Sequence, residues 1–343
     1  MEIRIYDSSL RRITQIDNFN HLIWHRKFTE TGDFELLAPL SKENRQIFTP
    51  GRLVCKAGSE EAGVIESLVI KEGDENTIEV KGRFLESYME RTLIKETFNF
   101  SGPTERAMFA LAQKVENVPG LELSSLKNFP EKVKFQATMK PVYSTISKLS
   151  KGSAIGFRIR PDFKAKKMWF ETFKGTDRTV NKRGVQFSEG NENINKAEYV
   201  YNEQNYHNVA IVGGEGEGTA RIYVVVGEGT GLDRREVFVD AKDLRKEEGM
   251  TDQEYKELLT ERGEEKLAEF RTCESVELET LAEGNFIYKK DYDLGDLITV
   301  KKESWGIEIK QRITAIDEIY ENGYVTVIPT VGDALPETIE WGE

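Results

Sequence analysis

Apolar and polar residues alternate along most of this chain. MEIRIYD sets Ile3 and Ile5 on one face and Glu2, Arg4 and Tyr6 on the other, the period-two pattern of a half-buried strand. A second run, 22–28, leads through Gly32-Asp33, read as a turn, into Phe34-Glu35-Leu36-Leu37. Further strands are expected at 52–56, 63–71 and 77–81, and the last two flank EGDEN as a hairpin.

Three stretches replace alternation with helical spacing. In SGPTERAMFALAQKV, Met108, Leu111, Ala112 and Val115 share a helical face. Ser101 is the expected N-cap, with Pro103 in the first turn and Glu105 near the positive end of the helix dipole. A shorter helix is expected over 141–151. The longest, MTDQEYKELLTERGEEKLAEF, opens on a capping box of Thr251 and Glu254. Its stripe of Tyr255, Leu258, Leu259, Leu267 and Phe270 reads as a core-facing side.

One pattern recurs. GRLVCKAGSEEAGVIESLVIKEGDENTIEV, from Gly51, is echoed by GDLITVKKESWGIEIKQRITAIDEIYENGYVTVI, from Gly295. Both open Gly-x-Leu-Val/Ile, pass a polar Gly-containing hairpin, and give two apolar strands about a turn. Ile65, Leu68 and Ile70 match Ile313, Ile316 and Ile319, while Ile78 and Val80 match Val325 and Val327. Two barrel-like β modules of similar design account for the echo; the alternative is the generic likeness of short meanders.

Candidate chemistry is sparse. The glycines of NVAIVGGEGEGTARIYVVV invite a nucleotide reading, but no Lys follows Gly213, Gly214, Gly216 and Gly218, and Glu215 and Glu217 would repel phosphate. A strand-like run rather than a helix comes next, so the loop reads as an exposed, flexible hairpin tip and not a dinucleotide site. His21 and His25 have a spacing used by metal sites on helices, but they lie in a strand pattern and His207 is the only other histidine. Ser153 lacks the spacing of a nucleophile elbow. Asp291, Asp293 and Asp296 are expected in a turn rather than a calcium loop. The one basic zone, Arg158, Arg160, Lys164, Lys166 and Lys167 among Phe157, Phe163 and Trp169, could bind single strands. Pro161-Asp162 instead favours a hairpin with a solvated face, or a face that meets acidic protein surface. No catalytic, cofactor or metal residue is assigned, and no cofactor is expected.

Composition bounds the rest. The 343 residues suffice for two to four compact domains at roughly 100–200 residues each. A net charge of −12 disfavours nucleic-acid binding. Cys55 and Cys273 read as reduced structural thiols. Neither a signal-peptide core nor a membrane span is expected. The fold class is α+β, strand-rich and multidomain. A first β-barrel-like module is expected over 1–98, an α/β domain over 99–185, and a strand hairpin with a helical insertion over 186–284. A second β module over 285–343 is completed by strands from 186–226.

Several ordered segments together resemble the hub proteins of phage and prophage tails, the N-terminal hub region of siphophage-type tail-associated proteins. TGDFELLAPLS at 31–41, VKGRFLESYMERTLI at 80–94, KGTDRT at 174–179 and VQFSEGNENI at 185–194 carry the likeness. NVAIVGGEGEGTAR, REVFVDAKDL at 235–244 and LGDLITV extend it. The resemblance implies a non-enzymatic hub in a tail tip or baseplate. Such hubs are homotrimers whose paired β-barrel modules make a pseudo-sixfold ring on a hexameric tube. The implied partners are the chain itself, distal tail tube subunits and other tail-tip proteins, with DNA passing through the channel unbound. The implied location is the virion tail, assembled in the bacterial host cytoplasm. Phe34, Glu35 and Leu36 are expected to help build the first module, and Leu297 and Ile298 the second. The chain is expected to be either a short hub or the leading part of a longer protein, ending in ALPETIEWGE. Two rival readings are a tail-associated peptidoglycan endopeptidase and a receptor or carbohydrate-binding module built on Trp24, Trp169, Trp305 and Trp341.

Overall fold

The computed structural model describes residues 1–73, 76–179, 184–280 and 285–333. Part of EGDEN, Trp341 and ALPETIEWGE lie outside the described residues. Seven strands make the first module: β1 (Ile3–Tyr6), β2 (Arg12–Ile16), β3 (His21–Lys27), β4 (Asp33–Pro39), β5 (Leu53–Lys56), β6 (Gly63–Lys71) and β7 (Thr77–Phe84). The short helix α1 (Lys42–Ile47) joins β4 to β5; Ser41 caps it, its hydroxyl accepting from the Asn44 N–H. Alternation dictates the faces. Leu22, Trp24, Phe34, Leu36, Ile65, Ile78 and Val80 turn inward and form one core.

A middle unit follows: β8 (Phe98–Pro103), α2 (Thr104–Ala112), β9 (Leu121–Leu123), β10 (Lys132–Ala137), α3 (Val142–Ser153), β11 (Gly156–Asp162) and β12 (Lys167–Phe173). Its apolar side packs on the outer face of the first module, joining Leu53, Cys55 and Val64 in one core with Leu111, Ile146 and Phe170. Ser101 is not the N-cap of α2. It sits in β8 opposite Lys134, and Pro103 precedes the helix without a side-chain cap. Glu105 does more than meet the helix dipole. Its buried carboxylate accepts from the N–H groups of Lys127 (2.7 Å) and Asn128 (2.6 Å) and from the Thr172 hydroxyl (2.7 Å), tying a loop and a strand to the helix.

The second module begins with β13 (Gln186–Ser188) and β14 (Ile194–Asn202). An inserted unit then intervenes: β15 (Val209–Gly213), β16 (Tyr223–Gly227), β17 (Glu236–Asp240) and α4 (Asp252–Glu269). The module resumes with β18 (Cys273–Thr280), β19 (Leu297–Lys302), β20 (Ile307–Glu321) and β21 (Tyr324–Gly332). Of the strands between 186 and 226, β13 and β14 join the second module, whereas β15 and β16 pair with β17 in a separate sheet. The reason is local: Ala210, Val212 and Val226 bury against Tyr255 and Leu259 of α4. The α4 capping box is present, the Thr251 hydroxyl accepting from the Glu254 N–H and Glu254 accepting from the Thr251 N–H.

Both modules belong to one 13-stranded sheet, β14-β18-β21-β20-β3-β4-β7-β6-β5-β1-β2, with β19 beside β20 and β13 beside β19. Among the described residues no module closes into a barrel. Each has its own core, and the two meet edge to edge where β20 pairs with β3. The second core gathers Phe187, Val276, Leu278, Ile298, Val300, Ile313 and Val331, with Phe28 contributed by the first module.

Candidate functional site

The recurring meander supplies the frame. Gly51 and Gly295 both hold left-handed backbone, φ 85° and 91°. The Gly51 N–H donates to the Ile65 carbonyl (2.8 Å), and the Gly295 N–H donates to the Ile313 carbonyl (2.9 Å). In return the Ile65 N–H donates to Arg52 and the Ile313 N–H to Asp296, both at 2.8 Å. Each long strand then bulges, between Ile65 and Ser67 in β6 and between Ile313 and Ala315 in β20. Two segments far apart in sequence therefore share turn, bulge and hydrogen bonds. The bulges also correct the expected register. Leu68 does match Ile316, but Ile70 falls on Glu318, and Ile78 and Val80 fall on Val327 and Pro329. The β20–β21 hairpin runs two pairs further, to Tyr320↔Val325 and Glu321↔Tyr324, which displaces a match made on apolar type alone.

Beyond its bulge β20 keeps β21 on one side and on the other pairs antiparallel with β3, from Ala315↔Lys27 to Glu321↔His21. Ile316 lies in the second core and Tyr320 packs against the first; on β3, Trp24 lies in the first and Phe28, just past the strand, in the second. The two strands thus form a seam shared by both cores. At its centre Lys56 Nζ meets Glu318 Oε2 at 2.6 Å, with side chains 3% and 2% exposed. Glu318 also accepts from the hydroxyls of Tyr288 (2.9 Å) and Tyr320 (2.5 Å). Beside it Arg26 donates to Glu61 (2.8 Å), Asp293 (2.6 Å) and the Tyr288 hydroxyl (2.7 Å). His25 Nδ1 lies 2.6 Å from Asp317 Oδ1 at the half-buried rim.

Electrostatics keep this network ionised. Burial alone would raise the Glu61 carboxyl, but Arg26 and the Ser59 hydroxyl hold it at about 2. Burial opposes the Glu318 carboxylate too, and Lys56 and Lys289 hold its pKa below the ordinary value. Burial lowers the Lys56 ammonium, against the pull of Glu318. A desolvated pair of this kind costs nearly what it returns, so its value lies in fixing one arrangement of the strands that carry it. Nearby, the buried Glu86 carboxylate accepts from the Ile159 N–H (2.6 Å) and, at 3.5 Å, from the Thr31 hydroxyl, and burial pushes its carboxyl up to about 7.

The seam ends where three units meet. A Cβ on Gly295 would lie 2.7 Å from the Phe28 ring, and one on Gly175 would lie 2.0 Å from the Gly295 carbonyl. The glycines of KGTDRT and LGDL therefore serve a backbone crossing, which Asp296 ties by accepting from the Thr176 N–H (2.6 Å) and Arg178 (2.5 Å). A cavity of about 10 Å³ beside Arg26, Glu61 and Glu86 has room for roughly one water and no larger ligand.

The remaining candidates are engaged structurally. His21 and His25 share a face of β3 but stand about 13 Å apart along the strand, too far to share a metal. His207 packs edge-on against Phe270. Among the described residues no group of three or more His, Cys, Asp or Glu could hold a metal ion. The Ser153 hydroxyl donates to the Leu149 carbonyl within α3. Asp291 accepts from the Ile287 N–H, Asp293 from Arg26, and Asp296 as above. On the basic hairpin Arg158 pairs with Glu60 and Glu171, Lys167 with Glu122, and Phe163 stacks on Tyr6. In the glycine loop, Arg221 donates to the carbonyls of Gly213 and Gly214, both at 2.9 Å, and the Tyr255 hydroxyl accepts from the Glu215 N–H. A Cβ at either glycine would strike those side chains. Phe34 and Leu36 sit in the first core and Ile298 in the second, with Leu297 part-buried; Glu35 faces out and pairs with Lys81. Trp24 is fully buried and Trp305 is exposed. Cys55 is buried and Cys273 part-buried, with no disulfide between them. Among the described residues no helix is long and apolar enough to cross a membrane.

The seam residues were missed in the sequence although a signal existed. Arg26 shares a face with Leu22 and Trp24, Lys56 with Val54, and Glu318 with Ile316. Charges at inward positions of alternating strands mark buried pairs.

The profile of the Siphovirus ReqiPepy6 Gp37-like protein family matches residues 2–333. No curated protein sequence matches the chain. Its fold is similar to that of the 43 kDa tail protein of prophage MuSo2 from Shewanella oneidensis, with TM-score 0.60 and 12% identity over 96% of this chain and 98% of that one. The tail protein of Neisseria meningitidis MC58 gives 0.60 and 12% over 97% and 95%. Prophage tail protein gp18 of Listeria monocytogenes EGD-e gives 0.56 and 10% over 97% and 95%. The chain belongs to the Siphovirus ReqiPepy6 Gp37-like family and is a phage or prophage tail protein.

Proposed function

We propose that this tail protein is the structural hub of a tail tip or baseplate, a trimeric ring that joins the tail tube to distal tip components. The observation that carries the reading is the repeated meander: two modules with the same turn, bulge and hydrogen bonds, locked edge to edge by the β20–β3 seam. Three such chains present six similar modules, the number needed to meet a six-membered tube. A buried ionic seam suits that task, because it fixes the angle between modules more than it adds stability.

The role is assembly, without catalysis. The partners are further copies of this chain, distal tube subunits and other tail-tip proteins, and assembly takes place in the host cytoplasm. DNA passes the channel without specific binding; the net charge of −12 and the ion pairs that hold Arg158 and Lys167 of the hairpin support this. Light scattering of the purified chain tests the reading. A mass of three chains is expected, and a monomer at micromolar concentration would overturn it. Single-stranded DNA should show no salt-dependent binding at physiological ionic strength.

A further inference from the structure

The two modules differ at one edge, and the difference points to a partner. Beyond its bulge, β20 is covered by β7's counterpart β21 on one side and by β3 on the other. The equivalent part of β6, residues 67–71, is covered by β7 on one side only; among the described residues its other edge pairs with no strand. It exposes Val69 (42%) and Ile70 (44%). Bare apolar strand edges are normally covered or charged.

The repeat also names the missing strand. Trp24↔Phe34 of β3–β4 and Tyr199↔Val276 of β14–β18 hold the same station, since Phe34 pairs with Gly82 where Val276 pairs with Val331. Hence β14 is the counterpart of β3, and among the described residues it too ends the sheet with one edge unpaired, with Tyr201 55% exposed. We infer that residues 67–71 of β6 pair antiparallel with β14 of a second copy of this chain, repeating between copies the seam that β20 and β3 make within one. The inference rests on the hub reading and gives it a register.

That register is fixed by the intrachain seam. Ser67 falls opposite Asn202 of the second copy, Leu68 opposite Tyr201, Val69 opposite Val200, Ile70 opposite Tyr199 and Lys71 opposite Glu198. The exposed Ile70 and Tyr201 thereby share one face of the new seam, and Val69 meets Val200 on the other. Lys71, which pairs with Glu79 in its own module, comes opposite Glu198, which otherwise faces Glu277 of β18. The central contact changes in step. Lys56 and Glu318 of the inner seam correspond to Val300 and Ile70 of the outer one, so an ion pair gives way to an apolar pair. The interface is head-to-tail, so repetition either closes a ring or grows a filament, and three copies with two seams each close with six modules.

Engineered disulfides test the register. Opposed residues in antiparallel strands have Cα atoms about 4.5–5.5 Å apart, within disulfide reach. In the full chain with Cys273→Ser, Val69→Cys with Val200→Cys should oxidise to a covalent trimer, and Val69→Cys with Lys196→Cys should not. A trimer by light scattering that forms no Val69–Val200 cross-link overturns the pairing and leaves the hub reading standing. A monomer without the cross-link overturns both. Ile70→Asp, at an exposed site, should leave the thermal melt of the monomer unchanged and weaken trimer assembly at least tenfold. Unaltered assembly would contradict the pairing.

Discussion

The outer halves of β6 and β20 leave equivalent bulges, yet one faces solvent and the other is buried beneath β3. The same local design, a left-handed glycine followed by a bulged strand, therefore has two outcomes set by what lies across the edge. Where the neighbour is in the same chain, the strand carries Asp317, Glu318 and Tyr320 and builds a polar network with His25, Lys56 and Tyr288. Where no strand pairs with the edge among the described residues, the stations of Asp317 and Glu318 hold Val69 and Ile70. Local geometry makes the edge, and the side chains beyond the bulge differ with what lies across it.

The strongest way to break this contrast is to remove one member of the inner ion pair. Lys56→Met takes the nearest cation from buried Glu318, leaving Lys289 at 3.4 Å and two tyrosine hydroxyls, and should cost about 3 kcal/mol in urea denaturation. Adding Glu318→Leu, which imitates the Val300 and Ile70 stations, should recover most of that loss. A single substitution as mild as a surface change would contradict the role given to the pair.

Glu86 gives the next effect, and it depends on pH. Its folded pKa of about 7 lies above the ordinary 4.5, so between these values the unfolded chain binds fewer protons and stability falls as pH rises. The penalty is complete above pH 7 and amounts to about 3 kcal/mol. Glu86→Gln should remove that slope, leaving the variant the more stable above pH 7 and not below pH 4.5. Parallel stability–pH curves would refute the assignment.

The paired glycines sharpen the comparison further. Gly51→Ala meets nothing within 4 Å and should cost only the backbone penalty, about 1 kcal/mol. Gly295→Ala carries the same penalty and drives a methyl into the Phe28 ring, so it should cost about 2–3 kcal/mol. Equal losses would mean the junction around Phe28 yields freely.

The smallest effect belongs to His25. Burial lowers its pKa, but Asp317 and Asp33 more than offset that and hold it above the ordinary value. Its raised folded pKa makes the contribution full below pH 6.5 and lost as pH rises through the folded value. His25→Gln should therefore lower stability by less than about 1 kcal/mol, and only on the acidic side.

Much of this was legible in the chain. Alternation placed β1, β3, β4, β6 and β7, the capping box placed α4, and the echoed meander survived as shared hydrogen bonds and bulges. Ser101 was misread because Ser-Gly-Pro before an apolar helix has the same local chemistry whether the preceding backbone is a cap or a strand end. The register of the echo slipped because bulge position is set by hydrogen bonding, which residue type does not record. The edge-to-edge meeting of the modules was beyond reading, since it depends on β3 meeting β20 nearly 300 residues later. The glycine loop was read as an exposed, flexible hairpin tip. What it holds are Arg221 and Tyr255, which need the room that Gly213 and Gly214 leave.

The central claim is that two modules in each of three chains make one ring. Negative-stain images of the purified chain test it most directly. The account predicts a particle with a central opening and six lobes that alternate between two kinds. A compact single-chain particle, or one with two-fold symmetry and no opening, would contradict it.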